Sequence, residues 1–291
     1  MEGEASRTKT VCVTGAGGAG GFVAREAAPV HGRVHGARHR DRKTGHLRAL
    51  EGAGERLRLF KADVLDYASV AYAVSGCGGV FHVASSVPAD KPQNPEVEVL
   101  APAVRGTQNV LKACHQAKVG RVVVVSSAAA VAMNPGFPRD AVLDEDAWSD
   151  EDHCRTAGVM WYALSKTLAE REALAHAEKT GLDVVTVCPP LVLGPLLQRV
   201  ANTSSLVLIN LLKGDRDTVE DKARNAVDVR DLADAFVLAY ETPEASGRFV
   251  EGEDDRMMSS KKLQALGWKF RAVEECLRDS VESYKAAGLL E

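Results

Sequence analysis

Tyr162 and Lys166 stand four residues apart in the run Trp161-Tyr162-Ala163-Leu164-Ser165-Lys166. On a helix that spacing puts both side chains on one face, about one turn apart. A free phenol has a pKa near about 10. A nearby ammonium favours the phenolate and brings the tyrosine into acid–base range. Ser127 closes the run Arg121-Val122-Val123-Val124-Val125-Ser126-Ser127. At the carboxyl edge of a parallel sheet its hydroxyl can hydrogen-bond a substrate oxygen.

A second constellation lies near the start of the chain. Thr10-Val11-Cys12-Val13-Thr14 runs into Gly15-Ala16-Gly17-Gly18-Ala19-Gly20-Gly21-Phe22. Gly15, Gly18 and Gly21 fit a G-x-x-G-x-x-G pattern. Glycines there permit a tight turn and let the backbone approach a pyrophosphate at a helix N-terminus. Because Ala-Gly-Gly occurs twice, Gly18-x-x-Gly21-Phe22 is a rival register, and the sequence leaves the choice open. Pro29 and Gly32 follow closely, so the helix behind this loop is expected to be short or kinked. Downstream comes Arg38-His39-Arg40-Asp41-Arg42-Lys43. An acidic residue at this place reads the ribose 2′-hydroxyl of NAD, whereas cations suit a 2′-phosphate. NADP(H) is therefore the expected cofactor, with Arg38 or Arg40 and Lys43 as contacts. Asp63-Val64, past the third strand, is expected beside the adenine ring.

These residues need a frame. Thr10–Thr14, Val34–Gly36, Leu57–Phe60, Gly79–Ala84, Arg121–Ser127 and Val184–Cys188 read as strands. Helical spacing of apolar residues marks Ser69–Val74, Val99–Gln116 and Tyr162–Lys179, and later Asp228–Tyr240 and Val273–Ala286. Apolar strands alternating with helices mean an α/β fold, a Rossmann-type doubly wound parallel sheet. The alternation weakens after about residue 195. The expected organisation is an NADP-binding domain over 8–195 and a small, shortened substrate-side region over 196–291, some of whose segments return to the first domain.

Composition narrows the function classes. The chain has 291 residues, 45% hydrophobic and 26% charged, with a formal net charge of −4. That supports a sizeable core and gives no global pull toward nucleic acid or an anionic membrane. A nucleic-acid role through Arg33–Arg48 would rest on one basic loop in an acidic protein. No apolar run approaches the roughly 20 residues that span a bilayer. Met1–Thr10 is polar and lacks the apolar centre of a signal peptide. A cytoplasmic location is expected. The cysteines, Cys12, Cys77, Cys114, Cys154, Cys188 and Cys276, are too far apart for a zinc site or a CxxC pair, so no metal is expected. His82, within an apolar strand, reads as a satisfied core histidine.

Several segments together resemble the plant cinnamoyl-CoA reductase and dihydroflavonol reductase group of the extended short-chain dehydrogenase/reductases. They are Leu59–Asp63, Val80–Ser85, Pro102–Thr107, Val125–Ser127, Trp148–Asp150 and Leu191–Gln198. The last leans toward the cinnamoyl-CoA branch, and the resemblance covers nearly the whole chain. It implies a Rossmann domain, NADPH, and Ser127, Tyr162 and Lys166 as the catalytic set. Lys166 would also hold the nicotinamide ribose. Pro189 to Leu191 would line the nicotinamide, and Ala84 and Ser85 would border the cofactor. The implied reaction is hydride transfer to a hydroxycinnamoyl-CoA thioester, giving an aldehyde and free CoA. A dihydroflavonol-type ketone or aldehyde reductase, or a catalytically impaired NADP-binding homologue, is the alternative. The branch's N-W-Y-C-Y-G-K reads here Met160-Trp161-Tyr162-Ala163-Leu164-Ser165-Lys166. Val207 and Asn210 occupy the places of a histidine and a lysine near the substrate. Gly247–Gly252 runs almost directly into Ser259–Leu263, where the family carries about thirty more residues of substrate domain (a length implied by the resemblance). The acyl group and the oligomeric state are not fixed by the sequence.

The basic cluster yields a first prediction. The protein should bind NADPH in preference to NADH, each charge-assisted bond to the 2′-phosphate contributing about 1.5–3 kcal/mol. Arg38→Ala with Arg40→Ala should erase the preference in a binding titration. Equal affinity of the unmodified protein for both cofactors would remove the cluster from cofactor choice.

Overall fold

A computed structural model describes residues 10–18, 20–31, 33–38, 44–85, 92–138, 140–156, 160–198, 200–214, 224–252 and 257–291, with the backbone alone for 28–31 and 33–38. The strands of the main sheet are β1 (Thr10–Thr14), β2 (Arg33–Arg38), β3 (Leu57–Lys61), β4 (Gly79–His82), β5 (Arg121–Val125) and β6 (Asp183–Cys188). Two short strands follow, β7 (Leu191–Leu193) and β8 (Ala226–Asp228), and then β9 (Gly247–Val250). The main sheet has the order β3-β2-β1-β4-β5-β6-β9, and every pairing in it is parallel. This is the doubly wound arrangement expected, extended by β9. The order reverses between β1 and β4, which makes their carboxyl ends the crevice where ligands of such sheets bind.

The longer helices are α1 (Gly20–His31), α2 (Tyr67–Val74), α3 (Ala101–Ala117), α4 (Trp161–Thr180), α5 (Thr203–Lys213), α6 (Val229–Glu241) and α7 (Val273–Ala286). Strand alternation divides the core into two layers. Val11, Val13, Phe81, Val123, Val185 and Val187 point to one face and pack with Phe22, Val23, Leu232 and Phe236 of α1 and α6. Cys12, Val80, Val122, Val124 and Val184 point to the other and pack with Val70 and Val74 of α2 and Val110 and Leu111 of α3. All six cysteines are buried and none forms a disulfide. Burial pushes the thiols of Cys12, Cys114 and Cys188 up, for Cys12 after the hydrogen bond with Cys77 as the largest cause.

The helix behind the glycine loop, expected to be short or kinked, has 12 residues and carries Pro29 in its last turn. The weakening after residue 195 hid real elements. β7 and β8 form a separate parallel pair, with Leu193, Ala226 and Cys276 buried against Leu208 and Leu277. β9 joins the main sheet, and α6 covers its central strands. The C-terminal helix grips this region through side chains: Ser280 Oγ accepts from the Gly194 N–H at 2.7 Å and Ser283 Oγ from the Leu196 N–H at 2.9 Å. Asp228, its side chain 1% exposed, and Asp279 both bind the Arg230 guanidinium at 2.7 Å. Among the described residues no helix is long and apolar enough to cross a membrane.

Glu251 sits directly after β9 and is 0% exposed. Among the described residues its carboxyl oxygens meet no hydrogen-bond partner. Burial, and secondarily the charge of Asp231, raise its pKa well above the carboxylate range. The folded state therefore holds a proton that the unfolded state releases, so stability falls as pH rises above the unfolded value of about 4.3. Glu251→Gln should match the unmodified protein in thermal stability at about pH 4.5 and exceed it increasingly toward about pH 8. A difference in melting temperature that stays constant with pH would show that Glu251 does not titrate as its burial requires.

Candidate functional site

The site grows from the ends of β1, β4, β5 and β6. Gly15 turns the chain out of β1 with φ +69°, a region costly for a residue with a Cβ. A Cβ there would stand 2.9 Å from the Cα and N of Ala84. The backbone of the first turn is thus pressed against the end of β4. Two tight turns follow, Gly18 N–H to Gly15 carbonyl at 3.1 Å and Gly21 N–H to Gly18 carbonyl at 2.9 Å, before α1 starts at Gly20. At Gly20 and Gly21 a Cβ would press on the Gly15 and Ala16 carbonyls at 3.0 and 3.2 Å, whereas at Gly18 the nearest atom is 3.8 Å away. Gly18 is thus more open than Gly15, Gly20 and Gly21. The first turn of α1 carries no acidic residue. An uncompensated helix N-terminus beside open glycine backbone fits an anionic pyrophosphate.

Thr14 and His82 pin the two strand ends together. The Ala84 N–H donates to Thr14 Oγ1 at 3.0 Å, so the threonine hydroxyl hydrogen is available to His82 Nδ1, 2.9 Å away. His82 Nε2 then carries the ring proton and faces Thr107 Oγ1 at 3.3 Å. Burial, with a smaller effect from the Lys166 charge, lowers the His82 pKa to about 3. The neutral imidazole is thus a buried connector between β1, β4 and α3, with Thr14 and Thr107 as the partners of the expected satisfied core histidine.

Lys166 lies on α4 and is 6% exposed. Its ammonium donates to the Val125 carbonyl at 3.0 Å, at the end of the strand that leads to Ser127. Tyr162 is half-buried in the first turn of α4, one turn from Lys166. Ser127 has an extended backbone and accepts from the Ala129 N–H at 3.2 Å, starting a short turn, Ala128–Ala130, against which α4 packs. The Ser127 O–H remains available to donate. The Ala128 N–H binds the Pro189 carbonyl at 2.8 Å, fastening this turn to the end of β6. Lys166, Ala84 and Ser85 line one small cavity of about 20 Å³ with His82, Thr107, Ser126 and Glu170.

The other expected contacts are more scattered. The Phe22 side chain is 2% exposed in the core, under the Arg25 guanidinium at 4.9 Å, which leaves its backbone to face a cofactor. Asp63 and Val64 follow the edge strand β3. The Asp63 carboxylate accepts from the Leu65 N–H at 2.9 Å, and the Val64 carbonyl from Asn109 Nδ2 at 2.8 Å. Leu191 opens β7, its N–H bonded to the Asn225 carbonyl at 3.2 Å. Arg38 ends β2, with its side chain outside the described residues, as are Arg40 and Lys43 altogether. Val207 and Asn210 are exposed on α5 beside Leu206 and Leu211. Among the described residues no cluster of His, Cys, Asp or Glu could hold a metal ion. Sequence reasoning missed Thr14, Gly20, Ser126, Glu170 and Arg248. Glu170 alone left a trace, four residues beyond Lys166 on the same helix face.

Residues 11–251 match the NAD dependent epimerase/dehydratase family. The chain belongs to that family. Within it the chain stands with the cinnamoyl-CoA reductases, as a nicotinamide-nucleotide oxidoreductase. It is 40% identical to cinnamoyl-CoA reductase 1 of Petunia hybrida, covering 97% of this chain and 94% of the relative. That alignment spans 323 positions against the 291 residues here, so the relative carries residues that this chain lacks. Vestitone reductase from alfalfa superposes with a TM-score of 0.81 at 29% identity, over 97% of this chain and 99% of the other. The yeast methylglyoxal/isovaleraldehyde reductase Gre2, solved with NADPH, shares the fold with a TM-score of 0.85 at 23% identity, over 97% and 100%.

The glycine loop separates two kinds of failure. Gly15→Ala forces a positive φ and a backbone clash and should destabilise by roughly 1–3 kcal/mol. Gly18→Ala should fold with little change in melting temperature and weaken dinucleotide binding. Unchanged affinity in Gly18→Ala would place the pyrophosphate elsewhere.

Proposed function

We propose that the chain is an NADPH-dependent reductase that converts hydroxycinnamoyl-CoA thioesters to aldehydes, with weakened recognition of the thioester. One observation carries the chemistry: the Lys166 ammonium is tied to the Val125 carbonyl, two residues before Ser127, and shares a cavity with Ala84 and Ser85. The reacting groups and the cofactor edge are thereby one assembly. The glycine loop, with its open Gly18 and bare helix N-terminus, suits the pyrophosphate, and the Arg38–Lys43 cluster suits the 2′-phosphate. Bound NADPH would supply the hydride to the carbonyl carbon.

The chain's own residues do the rest. Ser127 donates its hydroxyl to the carbonyl oxygen, its acceptor side being held by Ala129. Tyr162 gives its phenolic proton to that oxygen as negative charge develops there. Lys166 lowers the cost of the phenolate left behind and directs N–H donors to the nicotinamide ribose. Reduction of a thioester gives a hemithioacetal, which collapses to the aldehyde and free CoA. A ketone or aldehyde would stop at the alcohol.

That second reading is favoured by a specific observation. A CoA thioester is large and polyanionic, and its productive placement depends on contacts remote from the carbonyl. Val207 and Asn210 present an apolar group and a neutral amide on the exposed face of α5 where the family carries a histidine and a lysine. The shortened segment after Gly252 removes cover that would exclude water. A small carbonyl needs fewer of these contacts.

NADPH oxidation with feruloyl-CoA, p-coumaroyl-CoA and small aldehydes tests the proposal. The thioesters should show a high KM, with small carbonyls used comparably or better. Val207→His with Asn210→Lys should help thioesters more than aldehydes. Tyr162→Phe should lower turnover on the order of 100-fold or more with NADPH binding nearly intact. Efficient, saturable reduction of feruloyl-CoA at micromolar concentration would sink the weakened-recognition reading. Wild-type turnover in Tyr162→Phe would remove Tyr162 from the chemistry, and no turnover with any carbonyl would leave an impaired homologue.

A further inference from the structure

Behind Lys166, and outside the chemistry assigned above, lies a buried ion pair. Glu170 is on α4, one turn beyond Lys166, with its side chain 0% exposed. Arg248 is on β9, its side chain 5% exposed, and its Nε donates to Glu170 Oε1 at 2.9 Å while Nη2 lies 3.3 Å from Oε2. Ser126 Oγ donates to Oε2 at 2.7 Å and Thr186 Oγ1 to Oε1 at 2.6 Å. The guanidinium is itself fixed. It stacks on the Trp148 ring at 3.6 Å, and Nη1 donates to the carbonyls of Glu145 and Ala147, both at 2.8 Å.

Lys166 and Glu170 are at i,i+4 on one helix, the spacing at which an ammonium and a carboxylate pair. Both line the same small cavity, away from water. In such surroundings an uncommitted carboxylate would hold the nearest cation strongly. Lys166 instead donates its ammonium to the Val125 carbonyl at 3.0 Å, at the end of the strand that leads to Ser127. The carboxylate is already saturated by a bidentate guanidinium and two hydroxyls. The fork geometry matters, since it occupies both oxygens at once.

We propose that Arg248 is a positioning residue: by occupying Glu170 it prevents that carboxylate from drawing the Lys166 ammonium away from Tyr162 and the nicotinamide ribose. Arg248 is buried behind Glu170 and acts through it. The inference rests on the reading of Tyr162 and Lys166 as the reacting pair. The two fail separately, because Tyr162→Phe tests that reading with the ion pair intact. The titratable groups around Lys166 are Tyr162 and Glu170 on its own helix and His82 on β4. Behind Glu170 stand Arg248 on β9 and Cys188 on β6. His82 is neutral throughout the working range.

The test compares Arg248→Met, Glu170→Gln and the double variant. Three quantities are read on each: NADPH affinity by titration, kcat, and the alkaline limb of the kcat–pH profile for carbonyl reduction. In Arg248→Met the freed Glu170 should capture Lys166. Turnover should fall on the order of 10- to 100-fold, the effect of a small misplacement of a reacting group. NADPH should bind more weakly, and the alkaline limb should move to higher pH, because a phenol that loses its ammonium neighbour holds its proton longer. Glu170→Gln removes the competing charge. It should lower the melting temperature, by leaving Arg248 unpaired, yet keep the alkaline limb in place. The double variant should recover affinity, turnover and limb together. A purely structural pair predicts otherwise: melting temperatures move and the limb never does. A wild-type limb and affinity in Arg248→Met would overturn the proposal, as would a double variant displaced as far as the single one. If Arg248→Met is too unstable to purify, Arg248→Lys decides. It keeps a charge but loses the fork, so a smaller displacement in the same direction supports the proposal and no displacement overturns it.

Discussion

A carboxylate that water cannot reach must be compensated by the protein around it, and in this molecule Glu170 is that carboxylate. Burying it unpaired would cost several kcal/mol, so its partners are structural requirements. They come from the end of β5, from β6 and from β9, and the guanidinium that completes them also fixes the loop carrying Glu145, Ala147 and Trp148. One charge on α4 therefore sets where three strands end relative to the helix that carries Tyr162 and Lys166. The seventh strand, which adds no group to the cofactor edge itself, earns its place in the sheet by delivering Arg248.

The cofactor edge is organised by contact rather than charge. Gly15 exists so that the end of β1 can lie against the backbone of Ala84. Thr14 and His82 then close the same junction with hydrogen bonds. Neither arrangement tolerates an added atom or an added proton, which is why the imidazole is held neutral by burial. On the far side, Ser280 and Ser283 of the last helix satisfy the backbone N–H groups of Gly194 and Leu196, so the segment after β7 depends on the C-terminus of the chain. Cofactor edge and substrate edge are built by different means. The first is rigid backbone packing, and the second is a set of side-chain tethers around a small satellite core.

This division bears on the proposed activity. The proposed reacting groups sit on the rigid half, where α4, β5 and the turn after Ser127 are locked to one another. The proposed recognition surface sits on the tethered half, where α5 exposes Leu206, Val207 and Leu211. Loss of remote contacts weakens binding of a large substrate more than it impairs the chemical step, because the two depend on different parts of the fold.

How much of this was legible in the sequence follows from the range of the forces involved. The six strands of the nucleotide-binding half announced themselves as apolar runs, because strands buried on both faces must be continuously hydrophobic. Tyr162 and Lys166 were readable because helix geometry relates residues four apart without reference to the rest of the chain. The need for glycine at residue 15 comes from the close approach of Ala84, a residue about 70 positions away and invisible to local pattern. β7, β8 and β9 were missed because strands of three or four residues carry too few side chains to show a period. Nothing in the local sequence singled out Arg248, and Glu170 lies among the charged residues of an amphipathic helix. Residue type fixed their charges, but their burial and pairing come from strand order, which brings residues 126, 170, 186 and 248 to one point through contacts that no stretch of sequence contains.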